Sequence, residues 1–116
     1  MRIVIIGAGN AGKSLTSKLC AAGQDVVVID ESKRALDELA LSHDVMTIEG
    51  SGADPDVLAT DGIEEFDLLA AVTPYDEINL LSCCWAKSAG TRYTVARLSD
   101  NKYVNSPLVD TAALGV

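Results

Sequence analysis

Two phosphate-binding signatures overlap near the start of the chain. Gly7, Gly9 and Gly12, with Ala8, Asn10 and Ala11 between them, spell G-x-G-x-x-G; Gly7, Gly12, Lys13 and Ser14 spell G-x-x-x-x-G-K-S. The first pattern is the fingerprint of dinucleotide-binding turns and the second is the P-loop of nucleotide hydrolases. Both rest on the same physics. Backbone N–H groups at a helix start point at a phosphate, and the helix dipole adds partial positive charge.

An acid further along arbitrates between them. A P-loop hydrolase needs a Mg²⁺-holding Asp at the end of a later strand and a residue to position water. Val26-Val27-Val28-Ile29-Asp30 resembles such a strand, but its acid lies on the very next strand, only 18 residues after Gly12. In the dinucleotide fold that spacing belongs to the acid that accepts the adenosine ribose hydroxyls and repels a 2′-phosphate. Gly9 agrees, since a central glycine lets the backbone approach a pyrophosphate. Lys13 and Ser14 then fall on the first helical turn as surface residues, and the P-loop is the lesser alternative.

No catalytic set accompanies this turn. Tyr75, Tyr93 and Tyr103 have no Lys four residues on. His43, the single histidine, sits between a helix and a strand and reads as a surface residue. Cys20, Cys83 and Cys84 form no Cys-x-x-Cys pair, so they read as reduced thiols, and no His/Cys cluster suggests a metal. The residues support binding and offer no visible proton donor or nucleophile for a reaction.

The elements that position the turn follow from the hydrophobic pattern. Residues 2–6 and 25–30 are apolar without alternation, which suits strands buried on both faces. A helix is expected over residues 10–22, with Leu15, Leu19 and Ala22 inward and Gly23 ending it. A second is expected over 32–41, with Leu36, Leu39 and Ala40 inward. Residues 45–49 half-alternate, as near a sheet edge. Asp54-Pro55 opens a short helix that buries Val57, Leu58 and Ile63. The six acids Asp54, Asp56, Asp61, Glu64, Glu65 and Asp67 read as a solvated face.

Residues 68–72 form a fourth buried strand. Thr73, Pro74 and Asp76 then read as a capping box for a helix reaching Ser88, stopped by Gly90. On that helix Ile78, Leu81 and Trp85 make one stripe, expected either under a final helix or on an assembly surface. Residues 93–97 are a fifth strand, and Ser99 caps a last helix to about Asp110, interrupted by Pro107. Strict alternation of buried strands and helices predicts an α/β, Rossmann-like, doubly wound parallel sheet in three layers and a single domain.

The bulk properties agree. At 116 residues and 48% hydrophobic content the chain can bury one core, and a net charge of −8 argues against a nucleic-acid partner. No apolar run is long enough for direct membrane insertion.

Several stretches together carry a family resemblance. They are residues 3–12, Val28-Ile29-Asp30, residues 49–58, the run Leu69-Ala70-Ala71-Val72-Thr73-Pro74-Tyr75-Asp76-Glu77-Ile78-Asn79, and Val95-Ala96-Arg97-Leu98. In these the chain resembles the RCK or KTN family, the TrkA N-terminal type of nucleotide-binding regulatory domain in potassium transport systems. The likeness covers essentially all 116 residues. It implies a cytoplasmic subunit, peripheral to the inner face of the plasma membrane, that binds NAD(H) or ATP or ADP. It further implies a membrane potassium-translocating subunit as partner and assembly into a homo-oligomer, a dimer or a ring.

Carried over by position, residues 7–12 would cradle the pyrophosphate and Asp30 would hold the ribose. Gly50, Ser51 and Gly52 would flank the adenine, while Thr73, Asp76 and Asn79 would line the far half of the site. Arg97 would reach a phosphate or a partner domain. Arg34 falls either near the adenine ribose or on an exposed helix face. The chain departs from many members at Ser51, where Asp is common, and it lacks the C-terminal ligand domain that usually follows. The alternative reading is the cofactor-binding domain of an NAD-dependent oxidoreductase.

Overall fold

In the computed structural model, which describes residues 1–60, 62 and 65–99, five parallel strands alternate with four helices. They are β1 (Arg2–Ile6), α1 (Asn10–Ala21), β2 (Asp25–Asp30), α2 (Lys33–Ser42), β3 (Met46–Glu49), α3 (Pro55–Ala59), β4 (Leu68–Ala71), α4 (Asp76–Ala89) and β5 (Tyr93–Ala96). The strand order is β3-β2-β1-β4-β5. The chain therefore winds outward from β1 to β3, then returns to the other side of β1 and winds outward again. That reversal places a crevice between the loops that follow β1 and β4.

The central strands carry apolar side chains on both faces because both faces are covered. Ile3, Ile5, Val26 and Val28 pack with Leu36 and Leu39 of α2, and Leu15 and Leu19 of α1 close over them. Val4, Ile6, Val27, Ile29, Leu69 and Ala71 face the opposite way, against Leu58 of α3 and Cys83 and Ala86 of α4. This is the three-layer α/β arrangement the alternation predicts. β3 is an edge strand, as its half-alternation suggests, and Met46 lies exposed on it.

The local start and stop signals mostly hold. Ser32 caps α2 by accepting the Ala35 N–H at 3.2 Å, and Asp54 caps α3 by accepting that of Asp56 at 2.9 Å, with Pro55 at the first turn. Gly90 ends α4 in the left-handed region, at φ 104°.

Four expectations change. Ala22, expected inward, is exposed at the C-cap of α1. Ala40 is exposed, and Ala35 packs on the core beside Leu36 instead. The start of α4 moves from Pro74 to Asp76, with Tyr75 as its N-cap. Thr73 forms a turn of its own instead of a capping box: its hydroxyl accepts the Tyr75 N–H at 3.2 Å and donates to Asn79 Oδ1 at 2.7 Å. The sheet-facing stripe of α4 is Asn79, Ser82, Cys83 and Ala86, leaving Leu81 and Trp85 partly exposed and Ile78 at the margin. The last helix with Pro107, the inward side chain of Ile63, the acids Asp61 and Glu64, and Tyr103 lie outside the described residues.

Leu69 is fully buried in β4, whereas Leu41 is 88% exposed. Leu69→Ala is expected to lower unfolding free energy by about 2–5 kcal/mol, and Leu41→Ala to change it by no more than about 0.5 kcal/mol. Urea titration of the two variants measures both.

Candidate functional site

The carboxyl ends of β1, β2, β3 and β4 open onto one cleft of about 290 Å³. Its walls are Ala8 and Gly9 after β1, residues 30–32 at the end of β2, residues 50–52 after β3 and residues 73–75 after β4. Ile6, Ile29, Ala35 and Ile78 make its apolar floor and side. A crevice beyond the strand ends, at the point where strand order reverses, is where doubly wound sheets bind ligands.

The glycine turn is shaped by contacts that admit no side chain. Gly7 has φ +118°, a conformation that favours glycine, and a Cβ there would lie 3.2 Å from the Thr73 nitrogen. A Cβ on Gly12 would sit 1.9 Å from the Gly7 carbonyl oxygen, so α1 can start this close to β1 only without one. Gly9 differs: nothing lies within 4 Å of its would-be Cβ, because that side is open.

Gly9 is the N-cap of α1, with no side-chain hydrogen bond at the cap and no acid in the first turn. The amides of Asn10, Ala11 and Gly12 thus have no acceptor within the helix. α2 and α3 begin with a capping side chain, and α4 has Asp76 and Glu77 in its first turn. The start of α1 alone among the described helices of eight or more residues has neither a capping side chain nor a first-turn acid, and uncapped helix starts of this kind can accept anions.

Asp30 stands opposite. One carboxylate oxygen accepts the Ala8 N–H and the other the Ser32 N–H, both at 2.8 Å, and its main-chain carbonyl accepts the Gly50 N–H at 2.9 Å. The acid thereby joins three loops of the cleft. Each oxygen has further lone-pair capacity, so the carboxylate can still accept ribose hydroxyls.

Ser51 Oγ accepts the Ala53 N–H at 3.1 Å, and its main-chain carbonyl accepts that of Asp54 at 3.1 Å, which curls residues 50–54 into a tight turn. Gly52 is buried against Ile6: a Cβ there would come within 2.2 Å of its Cγ2.

Four of the expected site residues stand elsewhere. Asn79 is fully buried and braces the loop after β4 instead of lining it. Its Oδ1 accepts from the Thr73 N–H at 3.0 Å, and its Nδ2 donates to the carbonyls of Thr73 at 2.9 Å and Arg97 at 2.8 Å. Asp76 is also buried, and one of its oxygens accepts both the N–H and the hydroxyl of Ser99, at 2.9 and 3.0 Å. Both side chains sit on the sheet-facing side of α4, which turns them away from the cleft.

Arg34 lies on the outer face of α2, with its side chain 90% exposed and its Nε 3.4 Å from Glu38. Arg97 follows β5 with an exposed side chain, and its backbone completes the Asn79 set. Thr73, by contrast, does line the cleft, as do Ser51 and the glycines beside it.

The sequence reading passed over Glu31, Ser32, Pro74, Tyr75 and Ile78, all of which line the cleft. The signal was present for Glu31 and Ser32. They directly follow Asp30 at the carboxyl end of a central strand, the end at which the crevice lies.

Lys13 points the other way, its ammonium 3.6 Å from Glu38, and with Ser14 it lines a separate shallow groove between α1 and α2. A P-loop lysine would reach back over the turn to a phosphate, so this geometry disfavours that reading. His43 borders the same groove, with Nε2 2.8 Å from Ser17 Oγ. Cys83 is buried against the sheet. Desolvation first, and the neighbouring Cys84 second, push its thiol up to about 12, against a hydrogen bond to Thr94 that lowers it, so it stays protonated at neutral pH. Among the described residues no group of three or more His, Cys, Asp or Glu is placed to hold a metal, and no helix is long and apolar enough to cross a membrane.

A family model for the TrkA-N domain matches residues 3–110. A Trk system potassium uptake protein TrkA homolog of Archaeoglobus fulgidus is 38% identical over 115 residues, which is 99% of this chain and 26% of that protein. Among solved structures, the NAD(P)-binding domain of an exopolyphosphatase-related protein from Archaeoglobus fulgidus superposes with TM-score 0.82 at 23% identity, covering 98% of this chain and 82% of that one. The Kef CTD of Shewanella denitrificans, in AMP bound form, gives TM-score 0.75 at 23% identity over 90% of this chain and 64% of that one. The chain spans about a quarter of the length of the curated relatives it matches.

The two turn glycines separate packing from access. Gly12→Ala is expected to cost at least about 2 kcal/mol of stability, because the added carbon meets backbone. Gly9→Ala should stay within about 1 kcal/mol of the parent, the usual scale of a cap change. Thermal unfolding of both variants checks the pair; equal losses would contradict the turn geometry.

Proposed function

The chain belongs to the TrkA-N domain family, and on that premise we propose that it is the nucleotide-sensing regulatory domain of a Trk-type potassium uptake system, binding NAD(H) or ATP/ADP. One observation carries the reading. The uncapped start of α1 and the Asp30 carboxylate lie in the same crevice, with residues 50–52 forming the wall beside Asp30. An adenine nucleotide needs an anion site, a ribose acceptor and a flat apolar slot, and the cleft offers each at the end of a different strand.

The assigned roles follow the geometry. The amides of residues 9–12 receive a phosphate, Asp30 receives the ribose hydroxyls, and Gly50, Ser51 and Gly52 with Ile29 and Ala35 border the base. Thr73 and Tyr75 border the part of the ligand beyond the phosphates. Asp30 and Glu31 stand side by side at the ribose end, so a 2′-phosphate would meet like charge.

The domain carries out no reaction of its own. Binding acts by shifting the population between two arrangements of paired domains, and the membrane potassium-translocating subunit responds at the cytoplasmic face. Homologous chains named for Trk potassium uptake support this assignment.

Calorimetric titration with NAD⁺, NADH, ATP and ADP tests the reading, and no saturable binding of any of the four would sink it. NADP⁺ is expected to bind at least about tenfold more weakly than NAD⁺, from like-charge opposition. Gly9→Ala should stay within about 1 kcal/mol of the parent's stability and lose affinity, since its methyl group would occupy the phosphate approach. Asp30→Ala should weaken all ribose-bearing ligands, with its unliganded melting curve recording the structural share of the loss.

A further inference from the structure

Trp85 is the only tryptophan in the chain, and it ties α4 to the turn after β3. It lies on α4, 37% exposed, and its indole Nε1–H donates to the Ala53 carbonyl at 2.8 Å. Ala53 belongs to the turn after β3 that forms the Asp30-side wall of the cleft. That turn has no regular secondary structure to hold it. It is fixed at one end by the Gly50 N–H on the Asp30 carbonyl, internally by Ser51, whose Oγ and carbonyl accept the Ala53 and Asp54 N–H groups, and from the side of α4 by Trp85.

The opposite wall, residues 73–75, leads directly into the same helix. Asn79 ties it to α4 through three hydrogen bonds with Thr73, at 3.0, 2.7 and 2.9 Å. Ile78 of α4 lines the cleft between the two walls. From Asp76 to Trp85 a helix advances about 14 Å, so one rigid element touches the cleft's far wall near its start and holds the near wall through Trp85.

We infer that Trp85 is a positioning residue for nucleotide binding, holding residues 50–54 in the binding geometry and making α4 a strut between the two walls of the cleft. This rests on the nucleotide reading proposed above. The coupling is mechanical. Gly52 lies close against Ile6, itself part of the cleft floor, and the next residue, Ala53, accepts the indole N–H, so a shift of the turn on ligand binding reaches the indole hydrogen bond. Occupancy of the cleft is thus felt at Trp85, and through it along the exposed edge of α4 that includes Leu81.

Two measurements on the 116-residue chain test this. The first needs no variant: tryptophan emission is followed while NAD⁺ or ADP is added, with binding recorded in parallel by calorimetry. A saturable emission shift at the calorimetric midpoint is expected; calorimetric binding with unchanged emission overturns the inference. The second compares the parent with Trp85→Phe, which keeps an aromatic ring and removes the N–H. Loss of one neutral hydrogen bond should weaken nucleotide binding about three- to tenfold. Amide exchange in residues 50–54 should rise while that of β1 and β2 stays unchanged. Should Trp85→Phe fold poorly, Trp85→Leu, which also removes the indole N–H and leaves every cleft-lining residue in place, is expected to show the same pairing of weaker binding with faster exchange. Equal affinity in the parent and both variants removes the role given to Trp85 and leaves the nucleotide reading standing. Failure of the parent chain to bind either nucleotide defeats both.

Discussion

The site depends on one carboxylate placed at the end of a buried strand. Asp30 finishes β2, and its two oxygens collect an N–H from the turn after β1 and another from the turn before α2. Charge-assisted bonds of this kind are stronger than neutral ones, so the acid fixes the separation of two loops that have no strand pairing between them. Its carbonyl adds the Gly50 amide, bringing in the loop after β3. The cleft is therefore assembled around Asp30 by the chain's own hydrogen bonds. A ligand that uses the same carboxylate meets a group already oriented, which lowers the ordering cost of binding.

The other wall is held by a different device. Asn79 has no exposed surface, yet its amide oxygen takes two donors and its amide nitrogen serves two carbonyls. A buried amide so completely satisfied costs little and orients strongly, whereas a partly satisfied one would be a liability. It excludes Thr73 from α4, keeps residues 73–75 as a turn at the cleft, and ties the end of β5 to the start of α4. Asp76 does the same for Ser99. Polar residues that seemed to belong to the ligand are what shape the loop the ligand meets.

This difference explains what could be read from sequence. The β1–turn–α1–β2 unit ending on Asp30 was legible because every contact it needs is local or follows from strand adjacency. Gly7 and Gly12 are required by backbone approach within that unit, and the short apolar runs suit strands buried on both faces. The far wall was legible as a segment but not in its roles. Whether Asn79 faces ligand or sheet depends on the rotation of α4, and its apolar residues occupy more than one side. The Ile78–Leu81–Trp85 stripe is the more apolar one, whereas the inward set of Asn79, Ser82, Cys83 and Ala86 contains two polar residues and two small ones. Only the Thr73 and Arg97 backbone partners, 6 and 18 residues away, decide the matter. Arg34 was ambiguous for a simpler reason: Glu38 one turn on gives an arginine an exposed partner wherever the helix points.

The overlap of two phosphate motifs at residues 7–14 has the same resolution. Both motifs ask for glycines at a helix start, and they differ in what the lysine does. Here Lys13 lies past the first amides and turns toward α2, where Glu38 takes its charge. The anion site is left with backbone amides and the helix dipole alone, opposite an aspartate and beside Glu31, on a chain of net charge −8. On the nucleotide reading proposed above, the ligand is one whose phosphates are attached to a ribose: the acid that opposes the phosphates accepts the sugar hydroxyls, and selectivity comes from requiring both parts at once, at the fixed spacing between the start of α1 and the end of β2.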